Sequence, residues 1–438
     1  MKTSLILIAL VAGLAATAPA NSGMAASCRG AQLSGTFMVV KNSAAAGITQ
    51  DIDLGTQDNS FQGGVTFAGT INNLALKNIN ATPGTLTLPT NVAGDFTLNY
   101  TNAALTLPVV GVGGALDVTA SGGIAINGDV TTSGTQTYND AVTLGSDATL
   151  TTTDSAVTFA STVDNADPTA RDLTVNTGSG AVTFGGAVGS DATNGALGAL
   201  TVNSTGLTSF GNVAATSVVT NAGGSTLLGG NVTTSGTQTY NDAVTLGSDA
   251  TLTTTNSAVN FAGTVDNADP TARSLTLNTG TGAVTFGGAV GSNATNGALA
   301  GLTIQSGSLS AKSLNIGSGG LSVTTTTGDI TQSGKFVVTG LSSFNSGNHA
   351  ISLTDAGNDF QGDVSAVGAG VSLVDVNDLQ VAALTDNANG NVSLIAGGVL
   401  SVPTAGIAAG NGDLTLESNG GALSTSGALS GTNVSLTG

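Results

Sequence analysis

Residues 130–202 recur at 232–304 with a fixed offset of 102, and 63 of the 73 aligned positions are identical. A chain that carries two copies of so large a block must stack its units, because a closed globular core rarely accommodates an inserted copy of a quarter of itself. The fold expected is therefore a repeat array, and function is sought along a surface.

The elements of that array are strands. Of 438 residues 65 are Gly and only 8% are charged, the acidic side chains being 25 Asp and the single Glu417. Good helix formers are scarce, while Val, Thr, Ile and Phe alternate with turn residues. With 40% hydrophobic residues the chain is too apolar to be disordered. Within the duplicated block, short alternating segments such as Val142-Thr143-Leu144, Val157-Thr158-Phe159 and Val182-Thr183-Phe184 follow one another between clusters of Gly, Asn, Asp and Ser.

Many short strands fit an antiparallel sandwich or a parallel solenoid, and the aromatics choose between them. Tyr138, Phe159, Phe184, Phe210, Tyr240, Phe261 and Phe286 are spaced by 21, 25, 26, 30, 21 and 25 residues, nearly every interval being one coil. Stacked coils would turn them into an interior ladder, which a sandwich leaves unexplained. The fold class expected is all-β, a right-handed parallel β-helix (β-solenoid) with about 16 to 20 short coils rising about 4.8 Å each. Inward positions go to Val, Leu, Ile and Phe, and outward ones to Thr, Ser and Asn. The differences between copies agree: Val175 becomes Leu277 and Val202 becomes Ile304 at inward sites, whereas Thr158 becomes Asn260 at an outward one.

Residues 1–20 read as a signal peptide, with Lys2, the apolar run Leu5 to Leu14 and Ala18-Pro19-Ala20 as a cleavage site. Residues 21–54 fit the repeat poorly and are assigned to an N-terminal cap; 55–438 form the solenoid. The pattern reaches Gly438 without a cap, which points to truncation. Cys28 is the single cysteine, so no internal disulfide is available.

The runs Gly128 to Leu144, Gly328-Asp329-Ile330-Thr331-Gln332-Ser333-Gly334 and Thr354 to Gly362 resemble the repeats of filamentous haemagglutinin-like adhesins and autotransporter passengers. The resemblance covers most of residues 55–438. It implies a β-helix exported through an outer-membrane translocator, secreted or displayed on the Gram-negative cell surface. Its partners would be host or bacterial cell-surface molecules or extracellular matrix. Two hallmarks of that family, an N-terminal secretion domain with its Asn-Pro-Asn-type motif and a C-terminal β-barrel, are not found in the sequence.

Chemistry is sparse. His349, the one histidine, sits in the turn Ser346 to Ala350 without a Gly-x-Ser-x-Gly elbow. A polysaccharide-active enzyme on this fold would use clustered Asp, basic residues and aromatic platforms. Here the cations after the signal are Arg29, Lys41, Lys77, Arg171, Arg273, Lys312 and Lys335, which are scattered. No catalytic or cofactor site is assigned. Calcium is the ion considered, for a formal charge of −18 and three groups of carboxylates. These are Asp51, Asp53 and Asp58; Asp164 and Asp167 with their copies Asp266 and Asp269; and Asp355, Asp359 and Asp363. Asp154 becomes Asn256 and Asp191 becomes Asn293, so those charges are not both needed. The loop Asp164 to Arg171 is the most polar excursion and is expected to project. No basic patch serves nucleic acid. The functions weighed are a non-catalytic adhesin-like rod, a structural or ice-binding solenoid, and a polysaccharide-active enzyme. Ice binding needs a regular Thr-x-Thr at the same place in each coil, and the sequence does not display that register.

Overall fold

The computed structural model describes residues 51–438 except 57, 69 and 70. Before residue 51 only short strand segments, among them Gln50–Leu54, are placed. Apart from such segments, the expected signal peptide at 1–20 and most of the cap at 21–54, Cys28 included, lie outside the described residues.

Two compact units, Met1–Ala214 and Ala215–Gly438, make up the chain. Each is all-β and is built as a solenoid, and together they hold about 18 turns, within the expected 16 to 20. From Gln50 onward the pairings are parallel, and each joins a strand to the equivalent strand one turn later. Neighbours in sequence therefore lie around a turn, and neighbours in the sheet lie 17 or more residues apart.

Three faces run along the first unit. One carries Leu116–Ala120, Gln136–Tyr138, Val157–Phe159, Val182–Phe184 and Leu207–Phe210 in register. The second stacks Leu105–Leu107, Ile124–Ile126, Val142–Leu144 and Val163–Asn165, and continues through single bridges at Val188 and Val213. The third stacks Val130–Thr132, Ala148–Thr151, Leu173–Gly178 and Leu197–Ser204. Three-residue strands with buried, partly exposed, buried side chains recur because alternate side chains of a strand point to opposite sides.

The aromatic ladder forms as expected within each unit. In the first, Tyr138, Phe159, Phe184 and Phe210 stack with centroids 5.1, 5.0 and 5.5 Å apart. In the second, Tyr240, Phe261 and Phe286 stack at 5.2 and 5.1 Å. That ladder starts at Tyr240, whose register partner one coil earlier is Thr220. Offset stacking at this separation adds about 0.5–1.5 kcal/mol per pair beyond area burial. Val175 pairs with Val202 and Leu277 with Ile304, so the copies enlarge two touching inward positions together.

Not all threonines face outward. Thr132, Thr152 and Thr177, with Thr234, Thr254 and Thr279, are buried at corners. Each hydroxyl donates to a backbone carbonyl two or three residues ahead, as Thr177 does to Gly180 at 2.6 Å. A corner must leave the ladder, and the hydroxyl satisfies a carbonyl that would otherwise be orphaned.

Aspartate and asparagine perform the complementary task between coils. The side chain of one coil accepts an amide of the next: Asp129 from Thr149 at 2.8 Å, Asp147 from Asp172 at 3.0 Å, and Asp329 from Ala350 at 2.9 Å. Asp51, Asn73 and Asp95 extend this into a chain of such staples ending at Ala115.

Candidate interaction surface

Outward positions on the faces fall into continuous rows. In the second unit one row runs Thr239, Asn260, Thr285, Ser310, Thr331, Ser352, Ser372, Ser393, Thr415 and Ser435, each in register with the next. It carries hydroxyls and one amide, with no charge. Buried residues flank most members and fix their direction, as in the buried, intermediate, buried pattern of Val284–Phe286, whereas Ser435 lies in a strand exposed throughout.

A second face carries two parallel rows. In the second unit the pairs are Thr251 with Thr253, Thr276 with Asn278, Thr303 with Gln305, Ser322 with Thr324, and Ser343 with Asn345. In the first unit they are Thr149 with Thr151, Thr174 with Asn176, and Thr201 with Asn203. The two rows keep one register from coil to coil, but they are filled by Thr, Ser, Asn and Gln, and a regular Thr-x-Thr is not met. Coil lengths vary, so a search at fixed period misses the shared register, whereas pairing the alternating segments one turn apart would have found it.

All aromatic side chains among the described residues are buried. Sugar rings therefore find no exposed aromatic platform on the described surface. His349 lies in its turn, where its backbone carbonyl accepts the Ser346 hydroxyl at 2.6 Å and the Ala369 amide at 2.7 Å.

The calcium candidates are placed one by one. Asp51 accepts Asn72 and Asn73, hydrogen bonds that hold its carboxyl below the usual range, Asn72 contributing most. Asp53 accepts the Gly55 amide, and Asp58 pairs with Lys77 at 2.5 Å. Asp355 accepts the Gly357 amide, Asp359 accepts Gln361 and Asn377, and the Asp363 carbonyl accepts the Ser342 amide. Among the described residues no group of three or more His, Cys, Asp or Glu is placed to hold a metal ion.

The polar loop is a built corner. Asn165, fully buried, donates to the carbonyls of Asn194, Gly195 and Ala196 and accepts the Arg171 amide. Asp164 accepts the amides of Ser190 and Asp191. Two excursions on adjacent coils are thereby stitched together, leaving Asp167 to pair with Arg171 at 3.1 Å on the exposed rim. Hydrogen bonds from Thr169, then Arg171, hold the Asp167 carboxyl below its ordinary range. Asn267, Asp266, Asp269 and Arg273 repeat the arrangement in the second unit.

Residues 297–367 match the model of a family described as repeats of unknown function (DUF5649). The matched segment holds three members of the hydroxyl row, Ser310, Thr331 and Ser352, together with Lys312 and Lys335. No curated protein and no solved structure matches the chain. Among the described residues no helix is long and apolar enough to cross a membrane.

Proposed function

We propose that the chain is a non-catalytic, adhesin-like scaffold, exported and displayed on or released from a Gram-negative cell surface, with an outer-membrane translocator as its export partner. Its outward, half-exposed rows of hydroxyl and amide groups meet host or bacterial cell-surface molecules or matrix. The observation that supports this is the uncharged row from Thr239 to Ser435, a repeated set of similar small polar groups. Such a row gains affinity by number rather than by any one residue. Burial of the aromatics weighs against a polysaccharide-active enzyme, which needs them outside. Beads coated with the full chain should adhere to epithelial or bacterial cells above bare beads. Equal adherence would count against the reading.

Ice binding is the second reading, favoured by the paired rows. Their repeat is about 4.8 Å between coils and roughly 6.7 Å along a strand, a two-dimensional grid of mixed hydroxyls and amides. Thermal hysteresis of the purified chain tests it; none at millimolar concentration removes it.

A further inference from the structure

The two copies of one aspartate stand in different surroundings. Asp140 is partly exposed and accepts the backbone amide of Ala120 at 2.6 Å. Its counterpart Asp242 is 3% exposed. There the preceding coil supplies hydroxyls: Thr220 Oγ1 lies 2.9 Å from Asp242 Oδ1, and Thr226 Oγ1 lies 3.0 Å from both carboxyl oxygens. The following coil closes over it. Gly263 stands where any Cβ would collide with the Asp242 carbonyl, whereas the equivalent position in the first copy is Ser161.

No cation compensates the site. The packed strands Val213–Thr220, Ser225–Leu228 and Val259–Phe261 carry no ionisable side chain. Tyr240, two residues earlier, is the titratable neighbour, and its hydroxyl donates to Gln238 at 3.2 Å. On the next coil Asp266 faces in register with Thr245 and accepts the amides of Ser292 and Asn293. A buried carboxylate whose partners are two hydroxyls and its own backbone amide is costly when ionised, and comfortable when neutral.

We propose that Asp242 is a proton-operated joint of the second unit: neutral, it closes the layer formed with Thr220 and Thr226, and ionised, it loosens that layer. Burial raises its carboxyl above the ordinary aspartate range, opposed in part by the threonine hydrogen bonds. Because the folded group holds its proton more tightly than the unfolded one, its stabilising contribution is complete below pH 3.8 and is lost as pH rises through the higher folded value.

Hydrogen exchange of the full chain tests this between pH 4 and 8. Protection of Ser225–Leu228 and Ala243–Leu246, corrected for intrinsic rate, should fall by up to about tenfold per pH unit through the titration. Gln136–Tyr138 and Val142–Leu144, beside Asp140, should stay level. In Asp242→Asn the fall should vanish. Protection that is level in the unaltered chain, or that falls equally in Asp242→Asn, overturns the proposal. Should that variant fail to fold, carboxyl carbon NMR of the unaltered chain decides: an Asp242 midpoint above that of Asp140 supports the joint, and one at or below it overturns it.

Discussion

Asp172 and Gly198 constrain each other across adjacent coils. Asp172 Oδ1 accepts the Ala199 amide at 2.6 Å, which brings it so near Gly198 that a Cβ there would collide with it. In the second copy both change: Ser274 replaces Asp172 and Ala300 replaces Gly198. The shorter serine makes room for the methyl, so the pair has drifted as a unit.

Gly198→Ala alone should therefore destabilise its coil by about 1–3 kcal/mol, and Asp172→Ser should restore most of the loss. A double-mutant cycle read by local hydrogen exchange measures the coupling. Additive effects would show that the two positions are independent.

Asp154 and Asn256 show that the acceptor matters and the charge does not. Asp154 accepts Ser179 at 2.9 Å and Asn256 accepts Thr281 at 3.1 Å, and both hold positive φ, 50° and 54°. Asp and Asn tolerate that conformation better than other side chains. Asp154→Asn should change stability by less than about 0.5 kcal/mol, while Asp154→Ala should cost about 1–3 kcal/mol. Denaturant titration of the full chain with local exchange readout separates the two.

Phe159 has an aromatic neighbour on either side of its ring. Phe159→Ala should cost about 3–5 kcal/mol. Because each coil is covered only by its neighbours, the loss of protection should centre on Gln136–Tyr138 and Val182–Phe184 and fade within a few coils. Uniform loss across the unit would mean that it melts as one body.

The tyrosines report unfolding at high pH. Burial pushes the Tyr100 phenol up to about 12, and burial raises Tyr138 and Tyr240 further still. The neutral phenols stabilise the fold fully below pH 10, and that contribution is lost as pH rises toward the folded values. Tyrosinate absorbance should therefore stay below about a tenth of one tyrosine up to pH 11, and Tyr138 and Tyr240 should ionise only on unfolding. Its gradual growth from pH 10 in folded protein would contradict the burial.

Much of this fold was legible because the solenoid's period is written in its aromatics. Tyr138, Phe159 and Phe184 announce the coil by their spacing and then stack. The Asp residues were harder. Asp164 beside Asp167 suggested a cation, but Asp164 is spent on amides 26 and 27 residues away, partners that sequence proximity cannot reveal. The row from Thr239 to Ser435 was hidden because turns of unequal length break the period while the sheet restores register. Thr152 departs from the expectation that threonine faces outward: it is buried and caps the Ser155 carbonyl.

The most direct measurement of the central claim places charges on that row. Beads carrying the chain with Thr285→Lys, Thr331→Lys and Ser372→Lys together are compared with beads carrying the unaltered chain, with hydrogen exchange confirming that both are folded. Adhesion falling to the level of bare beads is the predicted result. Adhesion unchanged by three lysines on the row would contradict the account.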